Sequence, residues 1–221
     1  MNARAEGQPG QPGRLGQRGW VAALRTFARP PVTTLCELCG EPLDNVHPHL
    51  VELEQHTLRC CCRACALLFG NQQNARYKRV PERGTWLSGF HLSDEQWDAL
   101  AIPIGIAFFY RDSAAQRVIA MYPGAAGAMQ SSLDLSAWHR LVADNPILDT
   151  LEPDVEALLV NRVEGAREYY RVPIDQCYAL TGVIRARWRG LSGGVDAWRA
   201  IHACFAALKA GERLPEGVPN A

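Results

Sequence analysis

The chain has 221 residues, of which 48% are apolar, so it can bury a core and is not disordered throughout. Its 23 basic and 23 acidic side chains cancel, which removes the long-range attraction to nucleic acids or anionic membranes that a highly basic protein has. We therefore expect a protein or a small molecule as partner, and no nucleic acid.

No apolar run approaches the roughly 20 residues needed to span a bilayer, and the N-terminus lacks the apolar core of a signal peptide. The sequence thus predicts no membrane span and a cytoplasmic location. Because that compartment is reducing, the eight cysteines are expected to bind metal rather than to form disulfides.

The N-terminal segment has two parts. Residues 1–18 repeat Gly, Gln and Pro and contain almost nothing that could be buried, which predicts a disordered tail. In residues 19–31 apolar side chains recur at helical spacing before two prolines, which indicates a short amphipathic helix. A flexible C-terminus is expected over residues 212–221.

Residues 32–72 are predicted to form a metal-binding module. It begins with CELCG, in which Cys36 and Cys39 are separated by two residues and followed by Gly40. In such a knuckle the tight turn directs both thiolates at one metal, and the glycine allows a positive φ.

A second pair, Cys62 and Cys65, has the same spacing, and 22 residues separate Cys39 from Cys62. The two pairs together predict a four-thiolate metal site. Four thiolates make a closed tetrahedron, which favours structural zinc, although the same ligands could hold a single iron.

The segment between the pairs alternates apolar and polar residues around a polar turn at 54–57, which predicts a β-hairpin. The second pair then continues into ALLF, the start of a helix. A knuckle, a hairpin and a helix in this order resemble a treble-clef zinc finger. Cys65 lies in the first turn of that helix, where the helix dipole is expected to lower the pKa of its thiol.

The sequence RCCCRAC contains two further cysteines. Strand alternation places Cys60 on the same face as Cys62, and Cys61 on the opposite face. Three interpretations of Cys60 are open: a packed neighbour of the metal site, an alternative ligand that replaces Cys62, or a free redox thiol. His47 and His49 precede the first strand and are interpreted as surface groups or as groups close to the metal that do not bind it.

Residues 73–211 are predicted to form an α+β domain. In chain order the patterns indicate a helix capped by Ser93 with Gln96 three residues later, a hairpin around residues 112–116, and a helix that ends before Pro146. A second hairpin that turns at residues 164–165 and two C-terminal helices follow. The predicted fold class is therefore α+β: a small treble-clef-like zinc finger, then a domain with antiparallel hairpins and C-terminal helices.

The sequence contains no recognisable catalytic motif. Cys177 and Cys204 lie on the two predicted C-terminal helices and are interpreted as buried thiols that fill a helix interface. None of the common nucleotide-binding, nucleophile-elbow or zinc-protease motifs occurs, so no catalytic residue is assigned and a non-enzymatic role is favoured.

Several stretches, among them FARP, CELCG, CRACALLF, WDALAIPIGIAFFY, LEPDVEALLVNR and WRGLSGG, resemble an uncharacterised bacterial family encoded alongside uptake NiFe hydrogenases. In that family the second CxxC is often preceded by another cysteine to give CxCxxC, which is matched here at Cys60, Cys62 and Cys65. The resemblance implies a setting in hydrogenase maturation, assembly or electron transfer, with a hydrogenase subunit or maturation factor as partner.

Three functions follow as hypotheses. The first is a non-enzymatic zinc-binding accessory or scaffold protein, and the second is an iron-binding electron-transfer partner of a hydrogenase. The third, a nucleic-acid-binding zinc finger, is disfavoured by the zero net charge and by the acidic segment VELEQ of the hairpin.

Overall fold

In the computed structural model, the described residues between Thr34 and Leu214 form one compact unit. The expected tail 1–18 and helix 19–31 lie outside the described residues, as does most of the expected C-terminal tail. The structure describes residues 34–71, 76–124, 127–132, 135–190 and 193–214.

A small antiparallel sheet holds the cysteine-rich segment. The predicted hairpin is confirmed as β1 (His49–Glu52) and β2 (Thr57–Cys60). A third strand, β3 (Tyr77–Arg79), pairs with the other edge of β1. This strand belongs to the segment assigned to the following domain, so the small sheet spans the expected boundary at residue 73. Helix α1 (Arg63–Phe69) follows β2.

A six-stranded antiparallel sheet forms the core of the larger domain. Both predicted hairpins are confirmed, and they meet where β5 pairs with β8. The strand order is β4-β9-β8-β5-β6-β7. The strands are β4 (Thr85–Trp86), β5 (Ile106–Asp112), β6 (Arg117–Gly124), β7 (Gly127–Ser131), β8 (Glu156–Asn161) and β9 (Glu168–Pro173).

Helices cover both faces of this sheet, which explains the continuous apolar run of β8. Successive side chains of a strand point to opposite faces, so Leu159 belongs to one buried cluster and Leu158 to the other. The first cluster includes residues of α4 and α5, and the second includes residues of α3. The helices are α2 (Asp94–Ala99), α3 (Leu135–Asp144), α4 (Ile174–Arg187) and α5 (Gly194–Lys209).

Two local features complete the fold. The predicted cap of α2 is confirmed, because Ser93 Oγ accepts from the Gln96 N–H at 3.1 Å and Gln96 Oε1 accepts from the Ser93 N–H at 3.0 Å. Residues 212–214, which the sequence assigns to the flexible terminus, pack against the domain: Leu214 is buried, and its N–H donates to Gln176 Oε1 at 2.7 Å. The α+β class with antiparallel sheets is therefore confirmed.

Candidate metal centre

The first cysteine pair lies in a tight turn. The Gly40 N–H donates to the Cys36 carbonyl at 2.8 Å, and the Cys36 N–H donates to the Glu41 carbonyl at 2.8 Å. Gly40 has φ +78°, so the glycine supplies the positive φ that the sequence predicts for this position. The turn keeps Cys36 and Cys39 on one side of the backbone.

The second pair lies at the start of α1. Cys62 is the N-cap residue of this helix, and its Sγ accepts from the Cys65 N–H at 3.4 Å. Because β2 ends at Cys60, the chain leaves the hairpin directly into this helix. The predicted order of knuckle, hairpin and helix is therefore present.

The four cysteines of the two pairs come together. Cys36, Cys39, Cys62 and Cys65 have their Sγ atoms within 4.8 Å of one another. The Cys39 and Cys62 sulfurs are 3.7 Å apart. A metal with bonds of about 2.3 Å to tetrahedral thiolates separates its sulfurs by about 3.8 Å. The arrangement thus fits one tetrahedral metal ion.

The pKa of Cys36 is lowered in this cluster, whereas the pKa of Cys65 is raised. Burial opposes ionisation of Cys36, but hydrogen bonds from the backbone N–H groups of Cys62, Leu38 and Cys39 lower its pKa to about 6. The predicted lowering at Cys65 is wrong: burial and then the neighbouring thiols raise its pKa. The helix has only seven residues, and its dipole does not offset the desolvation of Cys65.

Cys61 is a structural thiol. It is fully buried in the small core of the module, beside Leu50 and Ala66, and its Sγ lies 3.3 Å from the Pro48 carbonyl. Burial raises the pKa of Cys61 to about 12, so the group stays protonated. As predicted, Cys61 is not one of the clustered thiols.

Cys60 also lies outside the four-cysteine cluster and belongs to a second group, with His47 and His49. The interpretation of both histidines as surface groups is wrong, since they are only 7% and 8% exposed. His49 Nδ1 lies 2.9 Å from Asp175 Oδ2. Burial lowers the pKa of His49, but hydrogen bonds with Asp175 and Cys60 raise it to about 9 overall.

The sequence contained only part of the signal for this group. The predicted turn at residues 54–57 would have placed His49 opposite Cys62, whereas the turn lies at residues 53–56 and the register places His49 directly opposite Cys60. Asp175 was not foreseen, because it lies 126 residues from His49 at the start of α4.

Glu52 changes how the acidic hairpin is interpreted. Its side chain is 0% exposed, and Arg59 Nη2 lies 2.7 Å from Glu52 Oε2, while Arg76 contacts Oε1. Hydrogen bonds from Arg59 and then from Arg76 lower the pKa of this carboxyl. Glu52 is therefore a buried carboxylate paired with two partly exposed arginines, and it adds no unpaired negative charge to the surface of the module.

The two C-terminal thiols are placed as predicted. Cys177 and Cys204 are both buried in the cluster between the sheet and helices α4 and α5. Burial raises the pKa of each thiol, which makes neither of them a nucleophile at neutral pH.

These observations define an α+β protein with a cysteine-rich module in which four thiols are close enough to bind one metal ion. The chain belongs to the family of unknown function DUF5947, which it matches over residues 35–212. Searches of the curated proteins and of the solved structures give no match. Within the described part of the chain, no helix has the length and apolar character required to cross a membrane.

Proposed function

We propose that the chain is a non-enzymatic accessory or scaffold protein built around a structural zinc ion, which Cys36, Cys39, Cys62 and Cys65 bind in a treble-clef-like module. The proposal depends on one observation, the convergence of these four sulfurs to within 4.8 Å of one another. Four protein thiolates leave no open coordination position, which is the arrangement of structural rather than catalytic zinc.

The metal gives the module a stability that its apolar core does not. Among the described residues, the buried cluster around the cysteines contains Cys36, Cys61 and Cys65 together with Leu50 and Ala66, while Val51 of the same hairpin packs into the cluster of the large sheet. Burial of a leucine contributes about 1.5 to 3 kcal/mol, whereas structural zinc in small fingers contributes about 10 to 16 kcal/mol. We infer that the segment from Cys36 to Ala66 folds only with metal, while the large sheet folds on its own core.

The likeness to a family encoded beside uptake NiFe hydrogenases supports a place for the protein in hydrogenase maturation or assembly. Exposed apolar side chains on α1 support a protein partner: Leu67 is 54% exposed and Phe69 is 39% exposed. A reducing, cytoplasmic compartment is consistent with the eight cysteines of the chain, all of which are free thiols.

A second candidate function has iron in place of zinc, with the protein passing electrons to or from the hydrogenase. The same four thiolates fit either metal, because their geometry alone does not distinguish the two. Nucleic-acid binding is less favoured, because the chain has zero net charge.

Metal analysis and a visible spectrum of aerobically purified protein test the metal. We would use the Cys60→Ser variant, which keeps all four clustered thiols and removes the only thiol of the second group. The proposal predicts a colourless protein with one equivalent of zinc. A red protein with thiolate-to-iron absorption would support the iron alternative instead, and a metal-free, folded protein would contradict both.

Affinity purification from the native host tests the setting. We expect a hydrogenase subunit or maturation factor to co-elute with the tagged chain, and the Leu67→Glu variant to recover less of it. Leu67 is exposed, so this substitution should leave the fold and the metal content unchanged. Recovery of nucleic acid, or retardation of DNA or RNA at low salt, would point to the third hypothesis.

A further inference from the structure

A second group of metal-ligating side chains lies outside the four-cysteine cluster. The donor atoms of His47, His49 and Cys60 are within 4.8 Å of one another. His49 and Cys60 are direct cross-strand neighbours in the hairpin. The two imidazole rings pack together with centroids 4.9 Å apart.

The Nδ1 atom of each ring is held in place by an oxygen acceptor. His47 Nδ1 lies 2.9 Å from the Asp44 carbonyl oxygen, and His49 Nδ1 lies 2.9 Å from Asp175 Oδ2. A ring nitrogen that faces an oxygen acceptor carries a hydrogen, so the lone pair that a metal can use is on Nε2. At His49, which is protonated at neutral pH without metal, the ion takes the place of the Nε2 proton. Metal-ligating histidines characteristically donate their other N–H to a carbonyl or a carboxylate in this way.

The sulfur ligand is also fixed. The Cys60 N–H donates to Glu37 Oε1 at 2.8 Å, and the Cys60 carbonyl accepts from the Glu37 N–H at 2.9 Å. Cys60, His49 and Asp175 together also resemble a cysteine nucleophile with its base. However, the backbone N–H of a nucleophile commonly stabilises the oxyanion, and at Cys60 that N–H is already used by Glu37. His47, which such a triad does not need, places a third potential ligand atom beside those of His49 and Cys60.

Space is available beside these ligands. A cavity of about 500 Å³ is lined by both histidines, by Asp175 and by Arg213. Two imidazoles and one thiolate fill three of four tetrahedral positions, and sites with three protein ligands keep the fourth for water or a substrate. The cavity is many times larger than the roughly 30 Å³ that one water molecule occupies.

We propose that His47, His49 and Cys60 form a second metal site, which binds a zinc-class divalent ion through two imidazoles and one thiolate. Its fourth position opens to the cavity and takes water or a small anionic ligand. Asp175 is a positioning residue that fixes the tautomer and orientation of His49. The site uses none of the four clustered cysteines as ligands, but it requires the folded module that carries it.

Cobalt(II) is a suitable probe, because its d–d absorption reports on coordination. Loaded with cobalt alone, the wild-type chain should bind two equivalents, and the Cys60→Ser and His47→Ala variants one. Azide should change the cobalt spectrum of the wild type and leave that of Cys60→Ser unchanged. The Asp175→Asn variant should bind the second cobalt about 10- to 100-fold more weakly and the first with unchanged affinity.

The outcomes separate this site from the four-thiolate site. Equal cobalt content in the wild type and in Cys60→Ser, or a wild-type spectrum that azide leaves unchanged, would overturn the second site alone. Rapid alkylation of Cys60 by iodoacetamide that depends on His49, with one cobalt bound, would show a nucleophile pair instead. Loss of all cobalt from Cys60→Ser would contradict the four-thiolate site. Cys60 is only half-buried, so this variant decides the matter even if His47→Ala fails to fold.

Discussion

Replacement of Cys62 by serine should remove the metal and unfold the module while the large sheet stays folded. Cys62 supplies one of the four clustered sulfurs and also caps α1 through its contact with the Cys65 N–H. The metal contributes about 10 kcal/mol or more, and burial of Leu50 contributes about 1.5 to 3 kcal/mol. Val51 of the same hairpin is also buried, against the large sheet, and the two side chains together contribute about 3 to 6 kcal/mol, which does not compensate for the loss.

Amide hydrogen exchange measures this effect region by region. Even a loss of about 4 kcal/mol, less than half of the metal's contribution, lowers protection roughly a thousandfold. The Gly40 and Cys61 amides, which donate to the Cys36 and Pro48 carbonyls, should therefore exchange freely in Cys62→Ser. The amides of β8 and β9 should keep their protection, because both strands lie in the centre of the six-stranded sheet.

The neighbouring cysteines provide matched controls. Cys60→Ser should keep the four-thiolate metal and the protection of Gly40. Cys61→Ser places a hydroxyl in a buried site, which should lower stability by about 1 to 3 kcal/mol without loss of metal. Full metal content and full protection in Cys62→Ser, or their loss in Cys60→Ser, would refute the reasoning.

Three further substitutions test separate parts of the structure. Gly40→Ala should lower the free energy of unfolding of the module by about 1 to 2 kcal/mol, measured by chemical denaturation, because alanine is strained at the positive φ of this position. The added Cβ would have no neighbour within 4 Å, so a steric clash adds nothing to this cost. Glu52→Gln should lower the melting temperature above pH 4.5, with a difference that shrinks at lower pH, because the pKa of this carboxyl is below its ordinary value of 4.5 in the folded state. Leu159→Ala should lower the stability of the large domain by about 2 to 5 kcal/mol in denaturant unfolding, since this side chain is fully buried.

Each of these predictions has a control or a contrary result. Glu54→Gln, an exposed position on the same hairpin, should leave the pH profile of the melting temperature unchanged. A Glu52→Gln effect that grows as the pH falls would contradict the direction of the pKa shift. A Gly40→Ala variant as stable as the wild type would show that the turn does not need its positive φ. A Leu159→Ala change that releases metal would mean that the module depends on the large sheet.

Patterns between neighbours in the chain predicted most of the fold. The hairpin before Cys60, the capping box at Ser93 and the turn at Gly165 all depend on residues a few positions apart, where spacing and turn chemistry decide the structure. The four-cysteine cluster was predictable for the same reason, because two CxxC pairs joined by a hairpin bring four thiols together.

Contacts between distant segments were not predictable in this way. β3 adds to the module sheet from beyond the expected boundary, and Asp175 reaches His49 from the start of α4. The burial of His47 and His49 follows from that packing. The pKa of Cys65 was predicted with the wrong sign because its desolvation depends on the surrounding fold rather than on its position in the helix.

X-ray absorption at the zinc edge, applied to the Cys60→Ser variant, tests the central claim most directly. With the second group disabled, the spectrum reports only on the metal held by Cys36, Cys39, Cys62 and Cys65. The account predicts four sulfur scatterers at about 2.3 Å and no nitrogen or oxygen in the first shell. A first shell that contains nitrogen or oxygen, or a folded variant without zinc, would contradict it.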